Sequence, residues 1–560
     1  MAHIVHRAGI CFAAFLALLI ACRPAEPVDR PPHDDPITPA ELPPHEFPHD
    51  SPAEGAASRL ERDVYWLADT DRAGRFPGTA GIRDTERFIR ARFEALDLEP
   101  PPANDGRYEQ RVTIYRHDFD VSDTRLLVQL EDAGEKPPLR AQIGRDARIL
   151  PFSTSGTVAG PLAFAGYAID DGDRGWSDVN TDDLDGRIAL AFRYEPWLEE
   201  PVGVHGTLEL SRHATFARKA RVVRDAGAEA LLVVTGPRHL RVPEDMRPFD
   251  LFSLDPDSSP FDRIRTVDGV ITMQISHELG ARIFEHAGYD IDAVQNALDP
   301  RADVAAGDSS NAAHSIDVDL SSVHVELSVG RSNEPEAVAA RNMAALVPGA
   351  DRERAIVVGA HHDHIGAFGD GAEAVYHGAD DNASGTAAVL ELAARLSARD
   401  EPPPVSVLFV TFTAEEVGLL GARAFVESEQ LAELDPVFMV NLDMIGRNPD
   451  EPLRLYSSDD SEAFVELVAE LARSMEVDVE HRAGVVRANS DHFPFHQAGI
   501  PFVSLFTGLH EDYHDIGDTA DRLDFPRMAR IVDLTEALIE AVAEERRAVN
   551  GERRAVNGGR

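Results

Sequence analysis

Short apolar runs, each about as long as one β-strand, alternate with helical patterns in the C-terminal part of the chain. Four runs consist almost wholly of aliphatic and aromatic residues and predict strands that are buried on both faces. They are Ala355–Gly359, Val405–Thr413, Val437–Leu442 and Ile500–Thr507. Small residues and leucines at helical spacing predict a helix over Ser384–Ser397. This alternation predicts an α/β domain with a mixed, largely parallel sheet and helices on both faces.

The pattern is different in the first part of the chain. Two helices with apolar stripes are predicted within Ser58–Asp97, and a strand follows over Tyr108–Tyr115. Many short strands and one helix, Ala217–Ala226, are then predicted between residues 125 and 320. The short strands are Arg125–Leu130, Gly160–Ala168, Arg187–Tyr194, Ala230–Thr235 and Val270–Ile275. We therefore expect a β-rich domain at 125–320, inserted between residues 58–124 and 321–543 of the α/β domain.

The N-terminal residues form a targeting segment. A basic start precedes the apolar stretch Ala8–Ala21, which is too short for an ordinary membrane span. The stretch ends in Leu-Ile-Ala-Cys, which resembles a bacterial lipobox, so residues 1–21 are predicted to be a lipoprotein signal peptide and Cys22 a lipidated N-terminus. The alternative is an ordinary secretory peptide. The expected location is the periplasmic or outer face of a bacterial membrane, and Arg23 after the cysteine favours the outer membrane.

Residues 22–57 and 544–560 lack the pattern of a packed core. The first segment is rich in proline and acidic residues and predicts a disordered tether. The second contains ERRAVNG twice and predicts a frayed helix end or a disordered basic tail. The net charge of the whole chain is −44, which excludes nucleic acid as a partner.

Acidic or imidazole side chains follow each of the four predicted strands. Because the carboxyl ends of parallel strands meet at one edge of a sheet, these side chains are expected to converge. The set contains histidines and carboxylates without cysteine, which suits zinc first, with cobalt or manganese as alternatives. It also exceeds the three protein ligands of one catalytic zinc, and so favours two ions that share a carboxylate. Each motif alone would more simply be a solvated loop, a surface pair of acids or a turn residue.

These motifs resemble those of the di-zinc exopeptidases typified by bacterial leucyl aminopeptidases, aminopeptidase Y and glutamate carboxypeptidase. The matching segments are GAHHDH, GADDNASG, TAEEVGLLG, NLDMIG and YHDIGDT, together with the N-terminal GRFPGTAG. The resemblance implies two zinc ions held by His361, Asp381, Glu416, Asp443 and His514. It also implies that Asp381 bridges the ions and is followed by a cis peptide bond. Asp363 would orient His361, and Glu415 would be the general base, although the residues alone do not distinguish Glu415 from Glu416.

The resemblance implies the zinc exopeptidase fold and, most simply, an aminopeptidase that acts on peptide substrates. The alternatives are a carboxypeptidase, for which Arg487 is a candidate carboxylate ligand, and a non-catalytic binding module. Arg487 stands where some relatives have a tyrosine. The inserted region resembles a protease-associated (PA) domain, or is an unrelated β insertion. Five further histidines are expected to line the cleft without binding metal: His362, His364, His377, His492 and His510.

Overall fold

The computed structural model describes residues 55–557 apart from eleven gaps. The gaps are 118, 131–137, 151, 172–175, 197–211, 241–245, 247–250, 257–269, 299–315, 331–333 and 368–374. The predicted signal peptide, Cys22 and nearly all of the predicted tether lie outside the described residues. Among the residues that are described, no helix combines the length and the apolar character needed to cross a membrane.

The chain folds into two compact units. Among the described residues, one unit comprises residues 115–336, and the other comprises residues 55–114 together with 337–557. These boundaries differ from the predicted ones at 124/125 and 320/321. The strand Val323–Val329 pairs with both Arg125–Leu130 and Gly156–Phe164, so it belongs to the 115–336 unit and not to the α/β domain.

The described residues of the 115–336 unit are built on an eight-stranded mixed sheet. In spatial order its strands are Leu139–Arg140, Arg125–Leu130, Val323–Val329, Gly156–Phe164, Ile188–Phe192, Ala230–Val234, Ile271–Ile275 and Ala147–Ile149. Its short strands include Asp170–Asp171, Trp176–Ser177 and Leu251–Ser253. The α-helices among its described residues are Thr181–Leu184, Phe216–Asp225, His277–His286 and Ile291–Ala297. The sequence had predicted only the second of these helices. Each of the two helices after residue 276 is capped at its N-terminus by a local side chain. The Ser276 side chain accepts a hydrogen bond from Leu279 N, and the Asp290 side chain accepts one from Ala293 N.

The second unit contains the strands that carry the predicted functional residues. They are labelled β1 (Asp351–His361), β2 (Val405–Phe412), β3 (Asp435–Leu442) and β4 (Phe502–Phe506). β1 lies between β2 and β3 and runs parallel to both, and β4 runs parallel to β3. Further strands of this unit are Glu109–His117, Glu336–Val347, Leu453–Ser457 and Val479–Ala483. The predicted mixed and largely parallel sheet is confirmed.

Helices cover both faces of this sheet because alternate residues of each strand point in opposite directions. Ile356 and Val358 of β1 pack into one apolar core, and Val357 packs into the other. The first face is covered by Ala56–Leu67, Ala80–Ala95, Gly385–Ser397, Glu462–Ser474 and Phe525–Asn557. The opposite face is covered by Leu420–Val426, Glu429–Ala432 and His492–Gln497. The last helix of the chain continues through the predicted tail to Asn557.

Candidate metal centre

The carboxyl ends of β1 to β4 lie along one edge of the sheet, since the four strands are parallel. His361 is the last residue of β1 and is paired in register with Phe412, the last residue of β2. The other predicted side chains come from the turns that follow the strands. All seven predicted site residues meet at this edge: His361, Asp363, Asp381, Glu415, Glu416, Asp443 and His514.

Asp381 lies between the two predicted histidine ligands. Its Oδ1 is 3.3 Å from His361 Nε2, and its Oδ2 is 3.1 Å from His514 Nε2. Burial would raise the pKa of Asp381, but the hydrogen bonds from these two imidazoles lower it well below its ordinary value. The ionised carboxylate of Asp381 therefore presents one oxygen to each of the two imidazoles.

His361, Asp381 and Asp443 form one group that could hold a metal ion. His361 Nε2 lies 3.4 Å from Asp443 Oδ1, in addition to its contact with Asp381. Burial would lower the pKa of His361, yet the surrounding carboxylates, Glu415 foremost, raise it well above its ordinary value. The carboxylates therefore favour positive charge at this position, whether it is carried by a proton or by a metal cation.

Glu416 and His514 lie beside the other oxygen of Asp381. Glu416 Oε2 is 3.1 Å from His514 Nε2. Burial would lower the pKa of His514, but Glu416 and Asp381 raise it to about 10. His364 belongs to this group as well, because its Nδ1 is 2.7 Å from Glu416 Oε1 and 3.8 Å from Asp381 Oδ2.

The position of His364 differs from the prediction, which gave it no part in the metal-binding group. The sequence contained one signal for it: His364 follows His361 by three residues, directly beyond the end of β1. That spacing does not by itself distinguish a cluster residue from a residue that merely lines the cleft. The contact with Glu416 does distinguish them.

Glu415 lies beside the imidazole of His361, with its Oε2 4.0 Å from Nε2. Burial raises the pKa of Glu415 well above its ordinary value; His361 opposes this rise, and Glu416 and Asp491 add to it. A carboxyl group with a raised pKa at the side of the cluster is suited to accepting and releasing a proton. Glu416, which contacts two histidines, is suited to binding metal. These surroundings favour Glu415 as the base.

Asp363 supports the turn that carries both glutamates. Its Oδ1 accepts a hydrogen bond from Glu415 N at 3.1 Å, and its Oδ2 accepts one from Glu416 N at 3.4 Å. Its carboxylate was expected to orient His361, but Oδ1 lies 3.8 Å from His361 Nδ1, too far for a hydrogen bond. That ring nitrogen instead faces the backbone carbonyl oxygen of Asp363 at 3.2 Å. Asp363 thus acts on His361 through its main chain.

The turn Ala379–Ser384 sets which acid faces the histidines. The peptide bond after Asp381 is cis, as the resemblance implied, and Asp381 is the residue that contacts the imidazoles. The neighbouring Asp380 points elsewhere, and its Oδ1 accepts from Gly446 N at 2.7 Å. Asp518 accepts hydrogen bonds from the backbone N–H groups of Asp380 and Asp381, both at 3.0 Å. The predicted register of the motif is therefore correct.

The other four histidines expected along the cleft have partners outside the metal-binding groups. The partner atoms are Thr411 Oγ1 for His362, Ala68 O for His377, Arg487 O for His492 and Asp380 Oδ2 for His510. Burial lowers the pKa of His362 to about 3, so it is neutral at ordinary pH. The guanidinium of Arg487, which was the candidate carboxylate ligand, lies 5.0 Å from the centre of the Tyr456 ring.

The side chains gathered at this edge of the sheet are suited to holding a metal ion. Asp381, Glu415, Glu416 and Asp443 bring four carboxylates together, and within the described residues their ion-pair partners are histidines rather than Arg or Lys. Asp491 adds a fully buried carboxylate with neither oxygen hydrogen-bonded to any described residue. Burying several carboxylates at one place is costly without a compensating cation. The mixed nitrogen and oxygen donors are those that zinc accepts.

Comparison with known proteins finds similarity to a recognised family. Residues 342–539 match Peptidase family M28. Aminopeptidase YwaD of Bacillus subtilis is 31% identical over 179 residues, which are 30% of this chain and 39% of that protein. Leupeptin-inactivating enzyme 1 of Streptomyces exfoliatus is 34% identical over 170 residues, which are 30% of this chain and 36% of that enzyme. The chain thus spans well under half the length of these two curated relatives.

Solved structures show the same fold. BSAP, a zinc aminopeptidase from Bacillus subtilis, has a TM-score of 0.52 with 20% sequence identity, over 86% of this chain and 93% of that one. The aminopeptidase from Aneurinibacillus sp. strain AM-1 has a TM-score of 0.51, also with 20% identity, over 86% of this chain and 92% of that one.

Proposed function

We propose that this protein is a zinc-dependent metalloaminopeptidase that removes N-terminal residues from peptides, since residues 342–539 match Peptidase family M28. The observation that carries the proposal is the position of Asp381, with one carboxylate oxygen near His361 and the other near His514. The names of the matched relatives, several of which are aminopeptidases, support the same activity.

We further propose that the centre holds two zinc ions. His361 and Asp443 would hold one ion, Glu416 and His514 would hold the other, and Asp381 would be shared. His361 Nε2 is 3.4 Å from Asp443 Oδ1, and His514 Nε2 is 3.1 Å from Glu416 Oε2. Asp381 contacts both histidines, at 3.3 and 3.1 Å. When bound, zinc lowers the pKa of a water molecule towards ~7 and polarises the scissile carbonyl group.

The protein residues then have separate roles. Glu415 accepts a proton from the attacking water and delivers it to the departing amine, for which its position beside His361 and its raised pKa are suited. Asp363 keeps Glu415 in place through the hydrogen bond to its backbone N–H. Asp518 and the turn around Asp381 hold the shared carboxylate between the two histidines.

The proposal is tested with purified full-length protein and leucine p-nitroanilide as substrate. We expect release of p-nitroaniline, its loss after treatment with a chelator, and its return when zinc is added. N-acetyl-leucine p-nitroanilide should not be cleaved, because the substrate of an aminopeptidase needs a free amine. Cleavage of the blocked substrate would contradict exopeptidase action at the N-terminus. Activity only on C-terminally free peptides would favour the carboxypeptidase alternative.

We also propose that the mature protein is anchored to a bacterial membrane through lipid on Cys22, and that the 115–336 unit is a PA-like domain. The first proposal is supported by the lipobox-like sequence at Leu19–Cys22. The second is supported by the β-rich character of the unit and its place as an insertion within the peptidase unit.

A further inference from the structure

Arg75 is a fully buried arginine whose guanidinium donates only to backbone carbonyl oxygens in the contacts found among the described residues. Nε donates to His362 O at 3.0 Å, and Nη2 donates to Gly378 O at 2.8 Å. Nη1 donates to both Leu67 O at 2.8 Å and His377 O at 2.7 Å. One side chain therefore joins three separate segments of the unit.

The backbone around Arg75 is shaped to bring it to this place. Ala73, Gly74 and Arg75 have consecutive positive φ angles of 45°, 68° and 52°. A side chain at Gly74 would come within 2.2 Å of the Gly366 carbonyl oxygen, so only glycine allows this approach. Gly366 N in turn donates to Gly74 O at 3.0 Å. The segment thus lies directly against the loop that follows β1.

The acceptors of Arg75 adjoin the proposed metal ligands. His362 is the next residue after His361, and Gly378 begins the turn that leads to Asp381. The two loops are far apart in sequence, yet His361 Nε2 and Asp381 Oδ1 must lie 3.3 Å apart. Arg75 hydrogen-bonds the main chain of both loops at these points.

A lysine would not reproduce this arrangement. The planar guanidinium reaches four carbonyl oxygens in fixed directions, whereas an ammonium group has three donors at one point. Burial lowers the pKa of Arg75 to about 10, and the carboxylates of Asp518 and Asp381 oppose that change. Arg75 therefore stays charged at neutral pH and adds positive charge close to an acidic cluster.

We propose that Arg75 is a positioning residue for the metal centre: it holds the loops that carry His361 and Asp381 at the separation that zinc binding needs, before the metal arrives. This inference rests on the proposed zinc site. Removing the hydrogen bonds of residues that orient metal ligands typically weakens metal binding ~10- to 100-fold.

The test compares zinc affinity in full-length wild type, Arg75→Lys and a control, Arg92→Lys. Arg92 is also a buried arginine of the N-terminal helices, and its guanidinium pairs with the Asp63 side chain at 3.1 Å. Affinity is measured by competition between the metal-free protein and a fluorescent zinc chelator, and thermal unfolding of the metal-free proteins is recorded in parallel.

We expect both variants to unfold at lower temperature, but only Arg75→Lys to lose zinc affinity, by ~10-fold or more. At saturating zinc, Arg75→Lys should show a lower kcat with little change in KM. Equal zinc affinity in wild type and Arg75→Lys, or an equal loss in both variants, would overturn the proposal. If wild type itself takes up no zinc, the proposed metal site is wrong and not merely the role of Arg75.

A measurement on wild type alone covers the case in which Arg75→Lys does not fold. Amide hydrogen exchange of the metal-free protein should show protected N–H groups in residues 361–366 and 377–381, because the hydrogen bonds of Arg75 to these loops form without metal. Rapid exchange of both segments until zinc is added would mean that the metal, rather than Arg75, orders them, and would overturn the proposal.

Discussion

The Asp518 carboxylate accepts a hydrogen bond from the backbone N–H of Asp381 at 3.0 Å. The same carboxylate accepts the N–H of Asp380, also at 3.0 Å, and is fully buried. Asp518 therefore fixes the backbone of the residue whose side chain faces both His361 and His514.

We predict that Asp518→Asn weakens zinc binding ~10- to 100-fold. The side-chain oxygen of asparagine can accept a hydrogen bond from one of the two N–H groups. Its NH2 group then faces the other N–H group, and two donors cannot form a hydrogen bond. The control is Asp178→Asn, because Asp178 also accepts two backbone N–H groups, from Tyr167 at 2.6 Å and Ile169 at 2.7 Å, in the other unit. Zinc affinity that fell equally in both variants would show a general loss of stability.

Glu415→Gln and Glu416→Gln should differ in their effect on zinc content. Glu415→Gln should keep the zinc content of wild type and lower kcat by roughly 10²–10⁴-fold, because it removes the base and no proposed ligand. Glu416→Gln should lose zinc, because Glu416 contacts His364 and His514 at 2.7 and 3.1 Å. Metal analysis and kcat of both variants check this. Normal kcat in Glu415→Gln would reverse the assignment.

Lys219 should make the stability of the 115–336 unit depend on pH. It is fully buried, and burial lowers the pKa of Lys219 to about 7, with Asp178 and Glu195 opposing the change. In the unfolded chain its pKa is near ~10.4, so between these values the unfolded state binds the extra proton and stability rises with pH. The slope contributed is at most about 1.4 kcal/mol per pH unit.

Lys219→Met should remove that contribution. We therefore expect the unfolding free energy of wild type, relative to the variant, to increase between pH 7 and pH 10. Denaturant unfolding at several pH values measures the difference. Parallel pH profiles for the two proteins would show that Lys219 has an ordinary pKa in the folded state.

The predicted lipid anchor is checked by fractionating cells that express wild type or Cys22→Ser. Wild type should be found with the membranes and should incorporate a labelled fatty acid, and the variant should do neither. The soluble control is the chain that begins after the predicted tether, at residue 58. If wild type carries no label and has the same distribution as Cys22→Ser, the protein is not anchored through lipid on Cys22.

Much of the site could be predicted because its residues stand at fixed distances from strand ends. The buried runs of β1 to β4 are readable as strands, and the acids and histidines that follow them can be assigned to one sheet edge. The choice of Asp381 rather than Asp380 came from the resemblance of GADDNASG to the motif of the di-zinc exopeptidases. These predictions depended on residues close together in the sequence.

The features that were missed depend on contacts between distant segments. Arg75 lies 287 residues before the carbonyl group of His362 that it binds, and nothing in its own segment indicates that partner. Asp518 is 137 residues from Asp381. Likewise, the apolar pattern of Val323–Val329 predicts a strand but not which sheet it joins, so the unit boundary after residue 320 was misplaced.

The most direct test of the central claim is a titration of metal-free wild-type protein with zinc, in which bound metal per chain and the rate of leucine p-nitroanilide cleavage are followed together. The shared position of Asp381 between His361 and His514 predicts two tightly bound zinc ions per chain and full activity only when both are present. Full activity at one zinc per chain, or activity that is unchanged when all zinc is removed, would contradict the account.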